Sequence, residues 1–199
     1  MKRLAAAVLS LALMFSASCA QSTGGTAGHG GAPDPATDEQ NAPEQTKPAE
    51  TELISVVTPL NDKRAGRIAN IRIACETLQG KVLLPGEEFS FNESVGRRTM
   101  ERGFKKAVIF RDNEKENEVG GGICQVSSAL YKAAKDAGLT VTERHGHQLP
   151  VDYVPKGDDA TVYYGELDLK FVNSADCPIR MDFHLGEDEL TVTLTGIEA

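Results

Sequence analysis

Cys124 is the residue in this chain whose placement most invites chemistry. It follows a triple glycine by two positions in GGGICQVSSALYKAAKDAG, the stretch from Gly120 to Gly138. Three glycines release the backbone and a helix-forming run then begins, so the cysteine falls at or near the first helical turn. A helix N-terminus directs unpaired N–H groups and the positive end of its dipole at that position. A thiol held there has its thiolate stabilised, which makes the sulfur a nucleophile or a metal ligand. Val126, Leu130, Ala133 and Ala137 form one apolar stripe at helical spacing. At ~100° per residue, Cys124 falls roughly opposite, in line with Ser127, Ser128 and Tyr131. The competing assignment is a small hydrophobe packed beneath a loop.

Downstream come His145, His147, Asp158, Asp159 and Asp168. The order is thiol at a helix start, imidazole on a following strand, carboxylate near the next strand, as in papain-like and transglutaminase-like enzymes. In that chemistry the imidazole takes the thiol proton and a carboxylate, Asp168 or Asp159, orients the imidazole. Backbone N–H groups, here of Cys124 and Gln125, stabilise the oxyanion. His147 is the preferred base over His145 because it sits where a strand meets the loop Gly146–Pro150. A second reading makes Cys124, His145 and His147 ligands of a zinc-type site. No CxxC or HExxH spacing supports it, so neither metal nor cofactor is expected. A third reading is a non-catalytic groove. In either the enzyme or the groove, Gln125, Ser128, Tyr153, Gly121 and Gly122 are the candidate substrate contacts. His184 reads as structural, and His29 among glycines is no ligand.

The elements that must position these groups are legible in outline. Asn61 or Asp62 is a candidate N-cap for a helix carrying Ile68, Ile71, Cys75 and Leu78 and stopped by Gly80. Cys75 lies on the core stripe of that helix, and in a secreted chain it could pair with Cys177. Strands are expected around Val82–Leu84, Phe89–Phe91 and Lys106–Arg111. Asp112 to Glu118 reads as a charged loop. Glu93 to Gly103 has no clear period, and its basic pair Arg97–Arg98 is either solvated or holds a carboxylate. Leu139 to His147 alternates as a strand that would put Val141, Glu143, His145 and His147 on one face. Further strands fit Val151–Val154, Thr161–Tyr164, Asp168–Val172, Ile179–Leu185 and Glu189–Thr195. The last two are joined as a hairpin through Gly186-Glu187-Asp188. Helices first and strands afterwards indicate an α+β fold, two main helices on a mostly antiparallel sheet.

The front of the chain is different. Lys2 and Arg3 precede an apolar run from Leu4 to Phe15, and small residues follow to Cys19. That is the pattern of a signal peptide, too short to span a bilayer as a mature helix. Ser16-Ala17-Ser18-Cys19 resembles a lipobox with Ser16 where Leu is usual, and makes Cys19 the candidate lipidation site. Ala20 to Glu52 has one lysine against six carboxylates and no Ile, Leu, Val or aromatic residue, and reads as a disordered acidic tether. The expected organisation is therefore signal 1–19, tether 20–52 and folded domain 53–199. The overall charge of −8 speaks against nucleic acid as a partner.

GGGICQVSSALY, ERHGH, PVDYVPKGDDATV and DLKFVN together resemble the VanW family, from about Leu60 to about Phe183. The resemblance implies a bacterial cell-envelope protein; with the lipobox-like Cys19, the expectation is a chain lipid-anchored on the outer face of the cytoplasmic membrane, or secreted, with wall peptide or glycan as partner. It does not fix a reaction or an oligomeric state. Cys124, Gln125, His145, His147, Tyr153, Pro155, Asp159 and Asp168 fall in motif positions. The family commonly has Ser after the second histidine, where this chain has Gln148. Peptidoglycan stem peptides or a related envelope polymer are the expected substrate, by cysteine acyl transfer or hydrolysis.

Overall fold

The computed structural model describes residues 49–111 and 114–198. The expected signal sequence, Cys19, His29 and nearly all of the expected tether lie outside them. Among the described residues three helices pack against antiparallel sheets, which is the α+β class. No helix among them is long and apolar enough to cross a membrane.

The larger sheet has four strands. β1 (Glu50–Pro59) pairs antiparallel with β9 (Glu189–Ile197), which pairs with β8 (Ile179–Leu185), which pairs with β2 (Lys81–Leu83). β8 and β9 form the expected hairpin, closed by the Gly186 N–H donating to Glu189 O at 2.9 Å. β1 begins three residues ahead of the expected start of the domain. Glu50 looks like part of an acidic tether, yet its carboxylate pairs with Arg180 of β8 at 2.8 Å. Val56 and Thr58 are buried while Val57 and Pro59 are exposed, the period-2 pattern of a half-covered strand.

A second sheet runs in the order β3 (Glu88–Ser90), β7 (Lys170–Val172), β6 (Thr140–Glu143). β4 (Lys106–Arg111) pairs with β5 (Glu114–Val119) as a hairpin. β5 replaces the expected charged loop. Its sequence EKENEV lacks an apolar alternation, so the strand is owed to backbone pairing with β4.

α1 (Ala65–Leu78) buries Ile71, Ala74, Cys75 and Leu78, as its spacing predicts. Neither Asn61 nor Asp62 caps it. Arg64 is the N-cap residue, and Asp62 instead accepts from the Arg64 N–H at 3.1 Å and from its guanidinium Nε at 2.9 Å. A short α2 (Phe91–Val95), not anticipated, is capped by Ser90 Oγ accepting from the Glu93 N–H at 3.1 Å. α3 (Ile123–Asp136) packs on β1, β9 and α1 and ends before Gly138 at φ 75°. Between helices and sheets lie Phe89, Phe91, Phe104 and Phe171, all with at most 1% of their surface exposed. Each such ring contributes about 2–3 kcal/mol by leaving water. Cys75 and Cys177 are free thiols, so the disulfide considered from the sequence does not form.

The expected strands at Val151–Val154 and Thr161–Tyr164 are absent, apart from one bridge between Tyr163 and Leu167. Residues 144–169 instead run as loops across the start of α3.

Candidate functional site

The site begins with the three glycines, and each answers a different steric demand. Gly120 (φ 94°) leaves room for the stem of Arg98, whose Cβ would stand 2.9 Å from an added methyl. Gly121 lies against the Ala107 backbone, with its carbonyl oxygen 2.9 Å from the same hypothetical atom. Gly122, the left-handed N-cap of α3 at φ 104°, lies against Arg67, 2.6 Å from its Cγ. At Gly120 and Gly122 only glycine combines positive φ with such an approach. Gly121 and Gly122 therefore shape the backbone entry to α3.

Cys124 is the second residue of α3 and half-buried. Its thiol donates weakly to the Val162 carbonyl at 3.7 Å. Residues 159–162 are clamped onto the helix. Ser127 Oγ donates to Ala160 O at 2.7 Å, and Ser128 Oγ accepts from the Ala160 N–H at 2.9 Å. Ser128 also donates back to Cys124 O at 2.6 Å. Both serines are fully buried, so the face expected to be open beside Cys124 is covered by this segment.

The clamped segment carries Asp159, and Asp159 holds His147. One carboxylate oxygen accepts from the His147 backbone N–H at 2.6 Å and from its Nδ1 at 2.8 Å. The other accepts from Arg144 Nη2 at 2.9 Å, while Arg144 Nε donates to Asp159 O at 2.6 Å. An imidazole whose Nδ1–H is given to a carboxylate offers Nε2 to its other neighbour, which is Cys124.

The charges agree with that arrangement. Burial pushes the Cys124 thiol up, but hydrogen bonding with His147, the charge on that ring and the Arg98 guanidinium outweigh it, and the net direction is down. Burial pulls His147 down, while Cys124 and then Asp159 pull it up, and the net direction is up. Asp159, also opposed by burial, is lowered through His147 and Arg144. Since a carbonyl beside a thiol favours the protonated form, the thiolate preference rests on His147 and Arg98 and not on Val162. Both shifts run in the direction of a Cys124⁻–His147⁺ pair.

The two histidines part company. β6 stops at Glu143, so the alternation does not carry through, and His145 turns to Glu143 Oε1 at 3.0 Å. His145 and Lys170 together hold the Glu143 carboxyl down at about 2. Asp168 accepts from Ser90 Oγ at 2.6 Å, the Asn92 N–H at 2.9 Å and the Leu169 N–H at 2.8 Å, a brace between α2 and β7. The structure thus brings Cys124, His147 and Asp159 together and leaves His145 and Asp168 in a neighbouring network. Asp158 pairs with Lys135 and Lys132 on α3 and steadies the same loop.

Gln125 is 1% exposed and its amide is consumed. Oε1 accepts from Arg67 Nη2 at 2.6 Å, and Nε2 donates to Thr58 Oγ1 at 3.0 Å and Pro59 O at 2.9 Å. Its backbone N–H turns back to Gly122 O at 3.1 Å, which leaves the Cys124 N–H as the helix-tip donor of the expected pair. Burial, followed by the charge at Cys124, pushes the Tyr153 phenol up, so it stays neutral. Among the described residues no cluster of three His, Cys, Asp or Glu side chains is arranged to hold a metal ion.

Sequence reasoning did not single out Arg144, Ser127 or Arg67. Arg144 was within reach, since ERHGH puts a guanidinium next to His145 and three residues before His147. Ser127 and Arg67 act through tertiary contacts with no local signature.

The fold and site define an α+β domain that sets a cysteine at a helix tip against a His–Asp pair. The chain belongs to the VanW family: residues 66–195 match the family described as VanW like protein. It is 43% identical over 128 residues to YoaR of Bacillus subtilis (strain 168), described as uncharacterized, covering 64% of this chain and 42% of that one. It is 30% identical over 129 residues to the vancomycin B-type resistance protein VanW of Enterococcus faecalis (strain ATCC 700802 / V583), covering 62% and 47%. The chain spans less than half the length of these relatives. None of the solved structures matches it.

Proposed function

We propose that this domain is a cysteine-dependent acyl-transfer enzyme of the bacterial envelope that acts on peptidoglycan stem peptides. The observation that carries the reading is the Cys124–His147–Asp159 arrangement at the tip of α3, with sulfur pulled toward thiolate and imidazole toward imidazolium. The thiolate of Cys124 attacks a peptide carbonyl, and the oxyanion is met by the Cys124 N–H. The C–N bond breaks, the leaving amine takes the proton from His147, and a thioester remains on sulfur. Water or an amine, deprotonated by His147, then attacks the thioester carbonyl and releases the thiolate. Asp159 keeps the ring in its tautomer and balances its charge. Membership of the VanW family supports the envelope as the setting, as does the resistance protein among the relatives. The same setting fits a signal sequence at 1–19 and lipid attachment at Cys19, which would place the domain on the outer face of the membrane.

The test is digestion of purified peptidoglycan and soluble muropeptides by the protein and by its Cys124→Ala variant, read by mass spectrometry. A new peptide end or crosslink with the native chain alone is the expected result. Identical products from both, with wall binding intact, would replace the enzyme by a binding module.

A further inference from the structure

Arg98 lies in the loop between α2 and β4, and its guanidinium is only partly used. Nη1 donates to Asn92 Oδ1 at 2.7 Å. Nε and Nη2 are shut off from solvent and have no hydrogen-bond partner. In a guanidinium those two atoms form one edge, two parallel N–H donors matched to the two oxygens of a carboxylate. A buried cation with a whole donor edge unmatched is rare in a packed protein, because buried polar groups are as a rule hydrogen-bonded.

The surroundings set this guanidinium at the entry to the helix that carries the nucleophile. Gly120, at the entry to α3, gives way to the Arg98 stem, and the charge of Arg98 acts on both Cys124 and Asp168. The guanidinium carbon lies 5.5 Å from the centre of the buried Phe91 ring and 5.8 Å from that of Tyr164. Tyr164 is 42% exposed and stands on the tight turn bridged between Tyr163 and Leu167. Asn92 ties the two halves together: its Oδ1 fixes Arg98, and its Nδ2 donates to Leu167 O at 2.8 Å and Tyr163 O at 3.3 Å. One residue thus sets both the donor edge and the turn that covers it.

We propose that Arg98 is the carboxylate-recognition residue of the Cys124 site, with Tyr164 as a displaceable cover, so that the substrate is a peptide with a free carboxylate close to the bond attacked. This rests on the cysteine-enzyme reading above. It narrows that reading to peptides with an open acidic end and excludes those whose carboxylate near that bond is amidated or already joined.

The test compares the alkylation of Cys124 by iodoacetate and by iodoacetamide in the full chain, mapped by peptide mass. Both reagents meet the same thiolate, so their rate ratio cancels any change in thiol ionisation. Normalised to a free-thiol peptide, the ratio is expected to favour iodoacetate at least about tenfold, the order of one charge-assisted contact. Arg98→Met should lower it by about that factor, leaving only the share due to the His147 charge, and Arg98→Lys, which keeps the charge without the fork, should fall between. As a check on the native chain alone, acetate should slow iodoacetamide more than chloride does at equal ionic strength. A native ratio at the reference value with brisk labelling by both reagents, or no protection by acetate, overturns the carboxylate site and leaves the enzyme reading standing. A full ratio in Arg98→Lys overturns the fork. Failure of both reagents to label Cys124 sinks the enzyme reading and this one with it.

Discussion

Cys75 and Cys124 both lie on fourteen-residue helices and both are removed from water to a degree, yet their chemistry diverges. Cys75 is in the third turn of α1 among Ile71, Ala74 and Leu78, and burial, reinforced by Glu76, pushes its thiol up to about 12. Cys124 is in the first turn of α3, also desolvated, but an imidazole and a guanidinium reverse the sign. Burial alone therefore makes a cysteine inert, and the same burial beside fixed cations makes it ionisable, because low dielectric strengthens the charge interaction as it weakens solvation.

The widest gap this comparison forecasts is in alkylation of the native protein near neutral pH. Cys124 should react at least about a thousandfold faster than Cys75, since only the thiolate reacts and a thiol at about 12 is almost wholly protonated there. Peptide mapping after timed iodoacetamide treatment measures this, and comparable rates would erase the distinction. Next in size is His147→Ala, which should lower turnover of a wall peptide by about a hundredfold or more, the usual worth of general acid–base help. His145→Ala should stay within a few-fold, because that ring is bonded to Glu143. Gly122→Ala comes third. Its positive φ and the 2.6 Å approach to Arg67 predict a loss of about 1–3 kcal/mol in the denaturant midpoint. Last, Cys75→Ala should cost about 1 kcal/mol of stability and leave turnover intact, the mark of a packing residue.

How much of this was legible in the sequence follows the range of the interactions. The helix tip at Cys124 and the stripe of Val126, Leu130 and Ala133 were readable because they are local periodicities. The loop position that favoured His147 is where that ring meets Asp159, but the assumed strand geometry fails: β6 ends at Glu143, where Arg144 turns to hold Asp159. The burial of Ser127 and Ser128 escaped because helical phase places residues relative to one helix axis and is blind to a loop laid over the outer face. β5 escaped for a related reason, since backbone pairing leaves no trace in a run such as EKENE. Glu50 was taken for tether because its partner Arg180 lies 130 residues away.

The most direct test of the central claim is the pH dependence of Cys124 alkylation in the native protein and in His147→Ala. The thiol is lowered and the imidazole raised, so the thiolate forms at lower pH than that of an ordinary cysteine. The native rate should therefore rise at a midpoint below the ordinary thiol value of about 8.5 and level off. In His147→Ala the midpoint should move upward, because burial then acts with only Arg98 to oppose it. A native midpoint at or above the ordinary thiol value, unmoved by the substitution, would contradict the claim that His147 holds Cys124 ready for chemistry.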